Sequence, residues 1–297
     1  LTPGKSVEDT YQSLSSIVSF FIKNDVIPVV IGGSQDLTYA NYRAYDEFKK
    51  TINIVNVDSN FDLGDSSKPI KNNSYLGKII LDEPHNLFNY ATLGYQTYYN
   101  PQIEIDLMEK LFFEAYRLGE VCNDITSVEP VMRDADIVTI DLRCIKSSEL
   151  SSRQKLSPNG FDGKEICSIS RYAGISNKVS SFGIYEYRSS NEDEITEMLI
   201  AQILWYFIEG VNCRIIDNNF TNIKDFQKFT VIVEKHELVF YKSKKTSRWW
   251  IEIPNSSNKD NKLKEQSLLP CTLEDYKSAN EGIMPERWYK AYKKNII

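Results

Sequence analysis

Histidine is nearly absent. The chain of 297 residues has two, His85 and His236, so a zinc or copper centre rich in imidazole has almost no ligands to draw on. Cysteine is sparse: Cys122, Cys144, Cys167, Cys213 and Cys271 form no C-x-x-C pair. An odd count in a long chain suits a reducing compartment, so a cytoplasmic location and mostly buried thiols are expected. No apolar run reaches the length of a membrane span. The most apolar segment, 195–208, is interrupted by Thr196, Glu197 and Gln202. There is no basic stripe, and the net charge is −6 with a pI of about 5.2, which argues against nucleic-acid binding. No lysine follows Gly32-Gly33 at the spacing of a phosphate-binding loop, so nucleotide binding is set aside. There is neither an initiator methionine at Leu1 nor a signal-like start, and no internal repeat.

What is present is a foldable core. Hydrophobic residues make up 41% and aromatics 12%, enough for one large α/β domain or two smaller ones. Three β-branched stretches run into polar loops. They are Ile27 to Ile31 before Gly32-Gly33-Ser34-Gln35-Asp36, Ile52 to Val57 before Asp58-Ser59-Asn60-Phe61-Asp62, and Ile137 to Ile140 before Asp141-Leu142-Arg143. Strand carboxyl ends are where ligand sites sit in open α/β sheets. A helix over 37–49 between the first two strands makes a βαβ unit, hence a parallel sheet. Ser6-Val7-Glu8-Asp9 reads as a capping box opening a helix that Asn24-Asp25 end. The polar stretch 59–74 reads as a long loop over the strand ends. Further helices are expected over 105–114, 125–133 and 162–174, with Gly174 as a C-cap. A strand is expected within 88–98 and another over 179–187, ending near Glu186. The helix over 192–209 is apolar on nearly every side and should be buried.

The pattern changes after Gly210. Phe229 to Val233 and Leu238 to Tyr241 flank a short polar turn and read as a hairpin. Arg248 to Ile253 supplies a third strand, 255–266 a charged linker, and 273–280 and 286–293 short helices. A division into 1–215 and 216–297 follows. Arg248, Trp249 and Trp250 have the composition of a binding contact if one tryptophan faces outward. The plainer alternative packs both tryptophans between the module and the main domain.

The three strand-end motifs, in this order, resemble those of the ureohydrolase family of arginase, agmatinase and formimidoylglutamase. Pro158-Asn159-Gly160-Phe161, Arg171-Tyr172-Ala173-Gly174 and Trp205-Tyr206-Phe207-Ile208 look most like its formimidoylglutamase branch. The resemblance spans about 6–210. It implies a three-layer α/β/α arginase-like fold with a mainly parallel sheet, here with a small C-terminal β-hairpin module. It also implies two Mn2+ ions that activate water against a guanidino or formimino carbon. Asp58, Asp62 and Asp141 match three carboxylate ligands of the family. Gln35, Asn60 and Arg143 stand where it has two histidines and an aspartate. Glu186 matches the glutamate that holds the substrate's guanidinium.

The loop after Asp62 has Tyr75 where the family's catalytic histidine is expected, which leaves His85 as a displaced proton shuttle or as an ordinary surface residue. Arginine stays charged inside proteins, so Arg143 is expected to replace the metal's charge among the aspartates. The implied function is a pseudoenzyme with no cofactor, acting as a binding or scaffolding subunit with a protein partner or a second copy. Two alternatives remain: an Mn2+-dependent hydrolase of linear amidines, and a sensor of a guanidino ligand. The family's initial strand has no counterpart before Ser6, so a longer natural protein is expected.

Overall fold

The computed structural model describes residues 1–2, 4–48, 50–65, 67–151, 157–187, 194–217, 223–254 and 268–296. The linker expected over 255–266 lies outside them. Helix α1 (Val7–Lys23) opens on the expected capping box: the Asp9 N–H donates to Ser6 Oγ and the Ser6 N–H to the Asp9 carboxylate. Two amide donors of the first turn are thereby satisfied.

The chain then alternates strand and helix: β1 (Val29–Ile31), α2 (Leu37–Arg43), β2 (Ile52–Val57), α3 (Tyr75–Leu81), β3 (Leu87–Tyr95), α4 (Gln102–Lys110), β4 (Glu114–Arg117), α5 (Leu118–Asn123), α6 (Glu129–Arg133), β5 (Ile137–Asp141), α7 (Gly163–Ile175), β6 (Ser181–Tyr185) and α8 (Glu194–Asn212). The six strands form one sheet in the order β1-β6-β5-β2-β3-β4. Every pairing is parallel, as helical crossovers require. Side-chain alternation along β2 builds the three layers. Ile52 and Ile54 point into a core with Tyr11, Tyr42, Ile79 and Met108. Val55 and Val57 point into the opposite core with Leu118, Val131, Ile169 and Phe207. β1 stands at one edge of the sheet, with Val29 and Ile31 exposed.

Four expectations are corrected. The segment expected as a helix over 105–114 is α4 ending at Lys110, followed by strand β4, because Phe112 takes a positive φ of 54° and turns the chain into the sheet. Only 129–133 of the stretch 125–133 is α-helix; its start is a single 3-10 turn. Gly174 is not a C-cap, since α7 continues to Ile175 and caps at Ser176. Its missing side chain instead lets α7 and α8 touch. A Cβ there would sit 2.2 Å from the Phe207 carbonyl oxygen and 2.9 Å from the Cα of Gly210. Gly174→Ala should therefore force the helices apart and lower stability by about 3 kcal/mol, measurable as a shifted urea midpoint; an unchanged midpoint would contradict this packing. Finally, α8 is not enclosed. It rests on α7 along one face and leaves Ile195, Met198, Ile208 and the 59% exposed Trp205 in solvent.

The C-terminal part is an antiparallel sheet, β10-β9-β8-β7. It comprises β7 (Phe226–Val233), β8 (His236–Ser243), β9 (Trp249–Glu252) and β10 (Leu268–Cys271), covered by α9 (Leu273–Asn280) and α10 (Glu286–Ile296). The hairpin and third strand fall where expected. β10 was not legible because Pro270 inside it argues against a strand; Pro is tolerated here because β10 is an edge. Arg248, Trp249 and Trp250 form no outward contact: the tryptophans are 6% and 3% exposed. Trp249 stacks on Tyr276 at 5.0 Å. Trp250 lies under the Arg133 guanidinium at 4.5 Å, and Arg248 pairs with Glu129 at 3.2 Å. The plainer alternative, packing against the main domain, holds for Trp250, while Trp249 joins the module's own core.

No helix among the described residues is long and apolar enough to cross a membrane. Of the five thiols, Cys144, Cys167 and Cys271 are buried and Cys122 and Cys213 exposed, none in a disulfide.

Candidate active-site cluster

The carboxyl ends of β2, β5, β6 and β1 converge on one group of side chains. Asp58 follows β2, where its N–H donates to the Leu93 carbonyl of β3. Its Oδ1 accepts the Asn60 N–H at 3.0 Å, an Asx turn that redirects the chain, and its Oδ2 accepts from Asn56 Nδ2 at 3.3 Å. Asp62 takes a positive φ of 57°, which aspartate tolerates better than most residues. Asp141 ends β5. The three aspartates are buried and offer one oxygen each within 4.8 Å of one another.

Arg143 is held beside them by a local fold rather than by strand geometry. The expectation that residues 141 and 143 share a strand face is corrected: Arg143 lies in a 3-10 turn over 142–144 that Asp141 itself caps. Asp141 Oδ1 accepts the Arg143 N–H at 2.7 Å, and the guanidinium closes on the same carboxylate. Nε lies 3.0 and 2.9 Å from its two oxygens, and Nη2 also donates to Oδ2. On the other side, Arg143 Nε lies 4.0 Å from Glu186 Oε2. No direct bond joins Arg143 to Asp58 or Asp62 among the described residues, so the expected pairing with all three is narrowed to Asp141. Its charge still lowers the cost of ionising the other two.

Burial dominates the electrostatics. Desolvation raises Asp58 above the usual carboxylate range, opposed by the Arg143 charge. Asp62 is raised well above it by burial and by the neighbouring charges of Asp58 and Asp141. Burial, then the charge of Asp58, push Asp141 up to about 7, while its bonds to Arg143 pull it down. Three clustered carboxylates and one guanidinium leave excess negative charge, which proton uptake relieves.

Glu186 is buried at the end of β6 with a positive φ of 61°. Its Oε1 accepts from the Gln35 N–H at 2.9 Å and from Asn72 Nδ2 at 3.1 Å, and its own N–H donates to the Gly33 carbonyl at 2.8 Å. Gly33, with φ 76°, makes this approach possible; a Cβ there would strike Leu37 Cδ1 at 2.4 Å. The buried Gln35 donates to Asn56 Oδ1 at 2.9 Å. Its Oε1 and the Oδ2 of Asp62 are buried without a hydrogen-bond partner.

Asn60 turns away. Its Nδ2 donates to the Tyr99 carbonyl and its Oδ1 accepts from Ser59. His85 is not at the site. It precedes the amino end of β3, whereas Asp58 follows the carboxyl end of β2, and the two strands pair in parallel with Val57 opposite Leu93. Six or more residues of strand separate them, on the order of 20 Å, so the proton-shuttle reading fails on distance. Tyr75 is buried and bonded to Tyr90 at 3.1 Å. Burial raises its hydroxyl well above its usual pKa, so it stays neutral.

Asn56, Thr139 and Asn72 belong to the site but were not singled out from sequence. Asn56 links Gln35, Asp58 and Thr139, whose Oγ1 donates to it at 2.7 Å. The available signal was two asparagines, Asn53 and Asn56, inside a β-branched, fully buried strand.

The arginase-family sequence model matches residues 1–209. The chain belongs to the arginase family. Among curated relatives, this family member is 24% identical over 225 residues to a formimidoylglutamase of Streptococcus gordonii, covering 70% of the chain and 68% of the relative. It is 25% identical over 212 residues to one of Staphylococcus haemolyticus, covering 68% and 67%. Among solved structures, formiminoglutamase of Trypanosoma cruzi with Mn2+ superposes with a TM-score of 0.65 at 17% identity, over 72% of this chain and 74% of that one. Formimidoylglutamase of Bacillus subtilis gives 0.64 at 16%, over 72% and 70%. At such identities the superpositions establish the arginase fold, with its mainly parallel sheet. The sequence relatives place the chain beside formimidoylglutamases.

Proposed function

We infer that this arginase-family chain is a non-hydrolytic member of the formimidoylglutamase-like branch, with a degenerate metal site, acting as a binding or scaffolding subunit. The observation that carries this reading is the bidentate closure of Arg143 on Asp141. Metal coordination needs free anionic oxygens. Both oxygens of Asp141 are occupied by a guanidinium, a group that keeps its proton. The same guanidinium reaches towards Glu186, so the chain's own arginine takes the position the family resemblance gives to a substrate guanidinium. That leaves little room for the guanidino-sensor alternative. Asp58, Asp62 and Gln35 do not make up the ligand set of a two-metal centre.

The second reading has its own support. The unpartnered Asp62 Oδ2, with the three aspartate oxygens within 4.8 Å, suits a single divalent cation if Arg143 swings outward. Mass spectrometry of the protein after incubation with Mn2+ and desalting separates the two. Less than about 0.1 metal ion per chain, with no hydrolysis of formimidoylglutamate, arginine or agmatine above blank, is expected. Stoichiometric manganese with turnover that Asp58→Ala abolishes would overturn the first reading and establish the second.

A further inference from the structure

At the opposite end of the sheet, a cavity of about 430 Å³ opens between α3, the start of β3, the α4–β4 turn and the end of α10. Its walls are apolar: Ile79, Leu111 and the rings of Phe88, Phe112 and Phe113. Phe112 lines it from a positive φ of 54°. One cation projects into this wall. Lys294 Nζ lies 5.2 Å from the centre of the Phe113 ring and 5.7 Å from that of Phe88, and donates to Asn89 Oδ1.

Lys294 is a surplus charge. The carboxylates whose field reaches it are Glu114 and Asp134. Glu114 is held by Arg287 at 2.7 Å, by Asn89 Nδ2 at 2.7 Å and by Tyr116. Asp134 is held by Lys178 at 3.2 Å. Arg287 and Lys290 add repulsion, and burial with these charges pushes the Lys294 ammonium down to about 7. No carboxylate among the described residues forms an ion pair with it. A part-buried ammonium whose partners among the described residues are an amide oxygen and the faces of two rings is under-solvated. An anion entering the cavity would relieve that and restore its charge; among the described residues that line the cavity none is acidic, and the exposed His85 and Lys110 stand at its rim.

We propose that this cavity is a binding site for a small amphiphilic monocarboxylate, its apolar body among the phenylalanine rings and its carboxylate on Lys294. The site is separate from the aspartate cluster and does not rest on the reading given there. Aliphatic and aromatic acids share this chemistry, so decanoate and 2-naphthoate serve as probes and 1-decanol as the uncharged control. Isothermal titration at pH 7 should show one saturable site per chain for at least one acid, and the preferred acid identifies the source. Lys294→Met keeps the apolar bulk and removes the cation. It should weaken the acid about tenfold or more and leave decanol within about twofold. Ile80→Trp, which fills the cavity from a partly buried position and leaves Lys294 intact, should abolish acid binding. The proposal is overturned if neither acid saturates, if Lys294→Met binds the acid as the parent does, or if Ile80→Trp binds it undiminished.

Discussion

Arg143→Ala is expected to destabilise the protein by about 3 kcal/mol at pH 8, the low end of the cost of removing one partner from a buried ion pair. The low end applies for two reasons. The arginine side chain is 27% exposed, so water already shares part of its load. The aspartates left behind can also take up protons. The fold would lose the three guanidinium bonds to Asp141 and the positive charge that faces Asp58 and Asp62. Urea denaturation measures the effect directly. Arg143→Ala/Asp141→Asn should recover much of the loss, because it removes the stranded charge. A single variant as stable as the parent at pH 8 would mean that the cluster is neutral without Arg143, and the charge-replacement account would fall.

Stability should pass through a minimum near neutral pH in metal-free buffer. Asp141 is raised from the ordinary aspartate range to about 7, and Asp58 and Asp62 are raised as well. A carboxyl with a higher pKa in the folded state binds more protons there than in the unfolded state. Stability therefore falls as pH rises from about 4 to about 7, at up to roughly 1.4 kcal/mol per pH unit for one group. Lys294 works in the next window. Its folded value of about 7 lies below the unfolded 10.5, so the unfolded chain binds more protons and stability rises with pH between them. Burial raises Glu114, but Arg287 and then Tyr116 outweigh it and lower the carboxyl to about 2, so it acts only in acid. Its contribution is present above the unfolded value of 4.5 and is lost as pH falls towards 2. Urea midpoints from pH 4 to 9 should thus decline to about pH 7 and then recover. A profile that climbs steadily from 5 to 7 would show that the aspartates are ionised throughout. A divalent ion at the cluster would reverse the slope, since it favours the ionised carboxylates.

Much of the site was legible because its residues lie at strand ends, where local pattern and ligand position coincide. The β-branched run of β2 followed by Asp58 and Asp62, and that of β5 followed by Asp141, needed only strand periodicity to be placed. Glu186 was legible in the same way. Choices stayed open, or were misread, where the deciding partner lies far off in sequence. Whether Trp249 and Trp250 face solvent depends on Arg133 and Tyr276. Whether Gly174 ends a helix or admits one depends on Phe207 and Gly210. Whether Asn60 turns towards the aspartates or away depends on Tyr99.

By itself, the sequence determined the family, the parallel α/β layout and the identity of the buried carboxylates, because these follow from periodicity and from residue type at strand ends. The tertiary structure decided the rest. It set Arg143 on Asp141 rather than among three aspartates and left His85 at the wrong end of the sheet. It also left one face of α8 in solvent and brought Lys294, from the last helix, into a cavity beside β3. Each of these is a choice between partners that the local sequence permits equally. Only the long-range packing of the chain, with its desolvation costs and its charge pairings, separates them.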